Sequence, residues 1–91
     1  MIPELKDPQD WNHIERMLKK MMHMRPEFMH DYRRLCINIE IKIKELGLID
    51  IELRKRYSVY WKQRRTEKIT EINNIIRMFS KMLLISTLSK R

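Results

Sequence analysis

Apolar residues recur along this chain at the three-and-four spacing of amphipathic helices. Trp11, Ile14, Leu18 and Met21 form a first stripe, with Met17 and Met22 beside it. Asp7 precedes Pro8, a pair suited to an N-cap and a first helical position, and Asp10 places negative charge in the first turn. A helix over about residues 8–24 is predicted. Arg25-Pro26 should end it, because a residue before proline avoids the α region. Phe28, Tyr32, Leu35, Cys36, Ile39, Ile43 and Leu46 share a second face and predict a helix over about 27–46. Gly47 is then expected to supply a left-handed cap, with Leu48 packing back on Ile43. The third segment, about 51–86, contains no Gly or Pro. Leu53, Tyr57 and Tyr60 mark the inner face of its first half, with Trp61 at the boundary. Ile69, Ile72, Ile76, Phe79 and Leu83 form a coiled-coil-like seam in its second half, widened by Ile75, Met78, Met82, Leu84 and Ile85. The segment is one long helix or breaks near 66–74.

Two competing patterns lie in the middle of the chain. Ile37, Ile39, Ile41 and Ile43 alternate with polar residues, as in a strand. The single Gly and three Pro leave little turn chemistry for a partner strand, so a helix with Ile37 and Ile41 on its outer side is expected. The stretch from Ile43 to Trp61 resembles the turn of a helix-turn-helix motif, with Gly47 at the turn, Leu48 after it and Leu53 at a buried position. Ile43 stands where a small residue is usual and Arg56 where a buried aliphatic is usual. A Gly-capped helical hairpin explains the same letters. The expected fold is therefore all-α: a single helical domain over 1–91, as a three-helix bundle or an extended helical hairpin with a long basic C-terminal helix, oligomeric or part of an assembly.

Charge changes this picture most. The chain carries 20 Lys and Arg against 12 Asp and Glu, a net +8. Residues 1–50 are balanced, so the whole excess falls in 51–91. Its densest part holds Arg54, Lys55, Arg56, Lys62, Arg64, Arg65 and Lys68, with Tyr57, Tyr60 and Trp61 among them. Cations neutralise phosphates and aromatic rings stack on bases, so this stretch suggests a polyanion partner. Arg54, Lys55, Ser58, Lys62 and Arg65 would share one helical flank, with Arg64 and Lys68 near it and Trp61 at its margin. Ser58 is small enough to let a phosphate backbone approach. The competing reading is a solvated face whose Lys and Arg stems cover apolar surface.

Catalytic and metal chemistry find little here. His13, His23, His30 and Cys36 lack the i,i+3 or i,i+4 spacing that sets two ligands on one helix face. Cys36 lies on an apolar stripe, where a thiol is usually inert. One glycine cannot build a phosphate-binding loop. Neither enzymatic activity, nor a cofactor, nor a metal is expected. A lone Cys excludes an internal disulfide and favours a reducing compartment. The opening MIPELKDPQDW lacks the basic-then-apolar order of a secretory signal. No apolar run approaches the ~20 residues that span a bilayer. An intracellular setting (cytoplasm, nucleoid or nucleus) is expected.

The sequence thus favours a small non-enzymatic accessory protein that grips the phosphate backbone of DNA or RNA with slight sequence preference. Arg54, Lys55, Ser58, Trp61, Lys62, Arg64, Arg65 and Lys68 would form the grip, and Ile69, Ile72, Ile76, Phe79 and Leu83 would drive homo-oligomerisation. The alternative is a helical interaction module, an inhibitor, adaptor or assembly subunit. It would dock a larger protein through Met22, Met29, Ile37 and Ile41 and meet an acidic surface with its basic segment.

Overall fold

The computed structural model describes residues 2–89, with side chains to Leu84. An N-terminal strap, residues 2–9, leads into α1 (Asp10–His23). A 3-10 turn (Pro26–Phe28) leads into α2 (Met29–Lys55), and α3 (Val59–Ser89) completes the chain. The described residues are helical throughout these elements, with no strand. The alternating isoleucines therefore lie on a helix. Ile39 is fully buried, Ile43 is half-buried, and Ile37 and Ile41 face solvent.

The second helix is the main departure from the sequence expectation. It continues through Gly47 for two more turns, and no described residue has positive φ. There is neither a cap at Gly47 nor a helix-turn-helix turn. The balance of energies explains this. An interior glycine costs a helix ~1 kcal/mol relative to alanine. Continuing the helix buries Ile49, a contribution of ~1.5–3 kcal/mol, and brings Asp50 to Arg65. The break comes instead at residues 56–58. Arg56 adopts extended geometry (φ −161°, ψ 125°), and its amide still bonds the Glu52 carbonyl at 3.1 Å. Ser58 then precedes α3, and its carbonyl accepts the first helical bond from the Lys62 amide at 3.0 Å. The third helix begins at Val59 rather than 51 and does not break near 66–74.

α2 and α3 form an antiparallel hairpin. Lys42 pairs with Glu71, Glu45 with Lys68 and Asp50 with Arg65, so the two helices run in opposite directions at a constant register. The molecule measures 54 × 18 × 16 Å. α1 lies against the half of the hairpin remote from the connection. Trp11, Ile14, Leu18 and Met22 join Tyr32, Leu35, Ile39, Leu46, Ile72, Ile76, Phe79 and Leu83 in one core. The Tyr32 and Phe79 rings meet with centroids 6.2 Å apart.

This core corrects two expectations. Ile72, Ile76, Phe79 and Leu83 are buried within the single chain, and Ile69 is half-buried, so the seam expected to drive oligomerisation is filled by α1 and α2. Met22, expected at a docking surface, is buried too, while Met29 is exposed. Ile85, Lys90 and Arg91 lie outside the described side chains.

The strap is a feature the sequence did not announce. Asn73 on α3 accepts the Leu5 amide through Oδ1 at 2.8 Å and donates from Nδ2 to the Leu5 carbonyl at 2.9 Å. The Leu5 side chain is thereby fixed in the core at 1% exposure. Arg77 reaches Glu4 at 3.2 Å, and Arg65 reaches Asp7 at 2.9 Å and the Lys6 carbonyl at 3.2 Å. Asp7 is thus drawn to Arg65. Asp10 instead closes the start of α1, accepting the Lys6 and Asp7 amides, each at 2.9 Å. The helix consequently begins two residues later than the Asp7-Pro8 signal implied.

Candidate functional site

The basic residues of the second half separate into two groups according to what each meets. Arg65 and Lys68 point inward along α3 toward carboxylates of the same chain. Arg65 Nε bonds Asp50 Oδ1 at 2.6 Å while its Nη2 holds Asp7. Its guanidinium pKa is raised, chiefly by the hydrogen bond to Asp50. Lys68 Nζ bonds Glu45 at 2.7 Å with 11% of its side chain exposed, and lies 3.9 Å from Glu71. Glu71 is held below the usual carboxylate range, first by its hydrogen bond from Lys42. Arg65 and Lys68 therefore join α2, α3 and the strap, and they leave the predicted grip.

The second group surrounds the α2–α3 connection. Arg54 and Lys55 end α2, Arg56 lies in the connection, and Lys62 and Arg64 occupy the first turns of α3. All five are exposed. Among the described residues no carboxylate pairs with Arg54, Arg56 or Lys62. Lys55 approaches Glu52 at 3.7 Å and Arg64 approaches Glu67 at 3.4 Å, both exposed i,i+3 pairs. Such contacts contribute at most ~1 kcal/mol and exchange readily for another anion. The polar contacts of the strap with α3 lie at Arg65, Asn73 and Arg77, and the exposed α2–α3 connection forms an elbow beyond them.

Aromatic residues complete it. Tyr57 is 70% and Tyr60 59% exposed, with Val59 between them at 64%. Tyr60 and the half-buried Trp61 meet edge to face, centroids 5.1 Å apart. The periodicity predicts Tyr57 and Tyr60 on an inner face. The helix break at 56–58 turns them outward instead, because α3 begins too late for them to face α2. Ser58, half-buried, lies immediately before the N-terminus of α3, where amide groups have no intrahelical acceptor. Lys and Arg in the last turn of α2 also complement the negative end of that helix. A purely structural role thus accounts for part of Arg54 and Lys55, and for none of Arg56 or Lys62.

A second surface runs along α2. Ile37 (61% exposed), Ile41, Leu48 and Ile51 recur on one exposed side of the helix. Ile37 and Ile41 are legible in the sequence; Leu48 and Ile51 are hidden by the expected cap at Gly47. The His residues and Cys36 are not gathered into a metal-donor set among the described residues. Cys36 shares a hydrogen bond with Tyr32, and burial pushes both groups above their ordinary pKa values. No described helix is long and apolar enough to cross a membrane.

No protein-family model, curated protein or solved structure matches this chain.

Proposed function

We propose that this chain is a non-enzymatic nucleic-acid-binding protein that grips the phosphate backbone at the α2–α3 elbow. The observation that carries the reading is the company of Arg54, Arg56 and Lys62. These cations lack carboxylate partners among the described residues and share one exposed end with Tyr57 and Tyr60. A cation without a partner has no ion pair to break when a phosphate arrives, and each phosphate it neutralises releases counterions. Exposed tyrosine rings offer faces on which bases or sugars stack. Lys55 and Arg64 would exchange weak carboxylate contacts for phosphate. The grip is smaller than the one read from the sequence, because Arg65 and Lys68 are occupied. Recognition through backbone charge carries little sequence information.

The test is a salt titration of binding to mixed single- and double-stranded oligonucleotides. Replacing Arg54, Arg56 and Lys62 together with Gln should reduce the log–log salt slope by about three, near 0.9 for each phosphate left without its cation. Arg65→Gln and Lys68→Gln should alter stability more than the slope. An unchanged slope and affinity in the triple variant would refute the reading.

A second reading is favoured by the α2 surface. An apolar row of Ile37, Ile41, Leu48 and Ile51 on an exposed helix suits a protein partner. The basic elbow would then meet acidic groups on that partner. Binding to nucleic acid that disappears by physiological salt would favour this reading.

A further inference from the structure

The strap, α1 and α3 enclose a groove that the elbow does not involve. It is an open cavity of about 630 Å³ at the end of the molecule remote from the connection. Its walls are largely apolar: Ile2 from the strap, Met17 and Met21 from α1, Ile76 and Leu84 from α3. Methionines adapt their shape to flexible chains more readily than branched residues do. The volume falls within the ~300–1,000 Å³ typical of small-molecule sites. From Arg77 to Leu84 the lining stretch of α3 rises roughly 10 Å at ~1.5 Å per residue, enough to run beside most of a medium-length acyl chain.

The polar groups give the groove a direction. Lys20 and Arg77 border it. Among the described residues Lys20 meets no carboxylate. Arg77 meets Glu4 at 3.2 Å, with both side chains more than 60% exposed, so that pair is weak and exchangeable. One turn beyond Arg77, the Ser80 hydroxyl is buried and has no hydrogen-bond partner among the described residues. Buried hydroxyls are seldom left so. An apolar trough bordered by Lys20 and Arg77, whose lining carboxylate Glu4 is held by Arg77 at the exposed rim, matches a ligand with a long apolar tail and one anionic end.

We propose that this groove binds a single-chain amphiphile with a carboxylate head, of the fatty-acid class. The tail lies along Met17, Met21, Ile76 and Leu84. The carboxylate accepts from Lys20 and Arg77, displacing Glu4 from Arg77.

Isothermal titration of the full chain with laurate, below the concentration at which laurate self-associates, tests this. Laurate should bind at a single site. Methyl laurate, which has the tail without the charge, should bind about tenfold more weakly, and dodecylammonium more weakly still, since charge-assisted hydrogen bonds are absent or reversed. Each methylene removed from the chain should weaken binding about threefold to fourfold. The double substitution Lys20→Gln, Arg77→Gln should abolish the preference for laurate over its methyl ester while helicity is retained. Met21→Trp should block laurate at unchanged charge. Equal affinity for laurate and dodecylammonium, or no laurate binding in the sub-millimolar range, overturns the proposal. So does a dimer in sedimentation that Met21→Glu dissociates and laurate does not, which would give the groove to a second copy of this chain. Because the elbow is distant, failure here leaves the salt-slope test unaffected.

Discussion

Gly47→Ala separates the helix that formed from the helix the sequence announced. Gly47 lies inside α2, its φ is not positive, and a Cβ built there meets nothing within 4 Å. Neither strain nor overlap therefore opposes the methyl group. What remains is propensity: alanine is favoured over glycine in a helix interior by ~0.8–1 kcal/mol, through reduced entropy of the unfolded chain. With no new close neighbours, the expected gain is about 1 kcal/mol. Against a total stability of ~5–14 kcal/mol for a chain this size, such a gain is easily measured. Urea denaturation followed by circular dichroism should show the midpoint rising by roughly 0.5–1 M at a typical slope of ~1–2 kcal/mol per M. The thermal midpoint should rise by about 4–8 °C. Had Gly47 been a left-handed cap, a Cβ there would instead cost roughly 1 kcal/mol or more. Destabilisation of that size would refute the continuous second helix, and with it the position of the elbow.

Asn73→Asp should remove the Nδ2 donor and set a carboxylate against the Leu5 carbonyl, at a cost of ~1–3 kcal/mol at pH 7. The carboxyl is favoured protonated in the folded state, so stability should partly return below pH ~4, measured by urea titration at both pH values. In the wild type the opposite sign applies to Asp10 and Glu71. Asp10 is depressed by the Lys6 and Asp7 amides, and Glu71 by its hydrogen bond from Lys42. Their stabilisation is fully present above the ordinary carboxylate pKa of ~4 and is lost as pH falls through the lower folded values, so the thermal midpoint should drop on acidification and Asp10→Asn should blunt that drop. Burial raises the Cys36 thiol, so alkylation by iodoacetamide at pH 7.5 should be several-fold slower in the folded chain than in urea. Removing Asp50 as Asp50→Asn leaves the half-buried Arg65 with the Asp7 carboxylate and the Lys6 carbonyl. It should cost ~1–2 kcal/mol in denaturant titrations, with little effect in a background that already lacks Arg65.

The periodicity by itself determined that this chain is helical, that Trp11, Ile14 and Leu18 face a core, and that α1 gives way near Arg25-Pro26. Each of these follows from local geometry: a helix face repeats every three or four residues, and proline restricts its predecessor. Ile72, Ile76, Phe79 and Leu83 were equally legible as one buried stripe. Their partner was not, because a stripe says that something covers it and not whether the cover is α1, α2 or another copy. The charge excess of the second half was legible, and its division was not. Whether Arg65 and Lys68 face solvent or Asp50, Asp7 and Glu45 depends on the hairpin register and on the placement of the strap, which join residues 15 to 58 positions apart. The same register carried α2 past Gly47, since tertiary burial of Ile49 outweighs a local glycine preference. That moved the break to 56–58 and turned Tyr57 and Tyr60 outward beside Arg56 and Lys62. The sequence therefore determined the elements and their apolar faces, where the forces act over a few residues. Tertiary structure alone decided where the second helix stops, which cations remain unpaired and how the strap walls a groove, because those depend on contacts between segments whose separation along the chain carries no local signal.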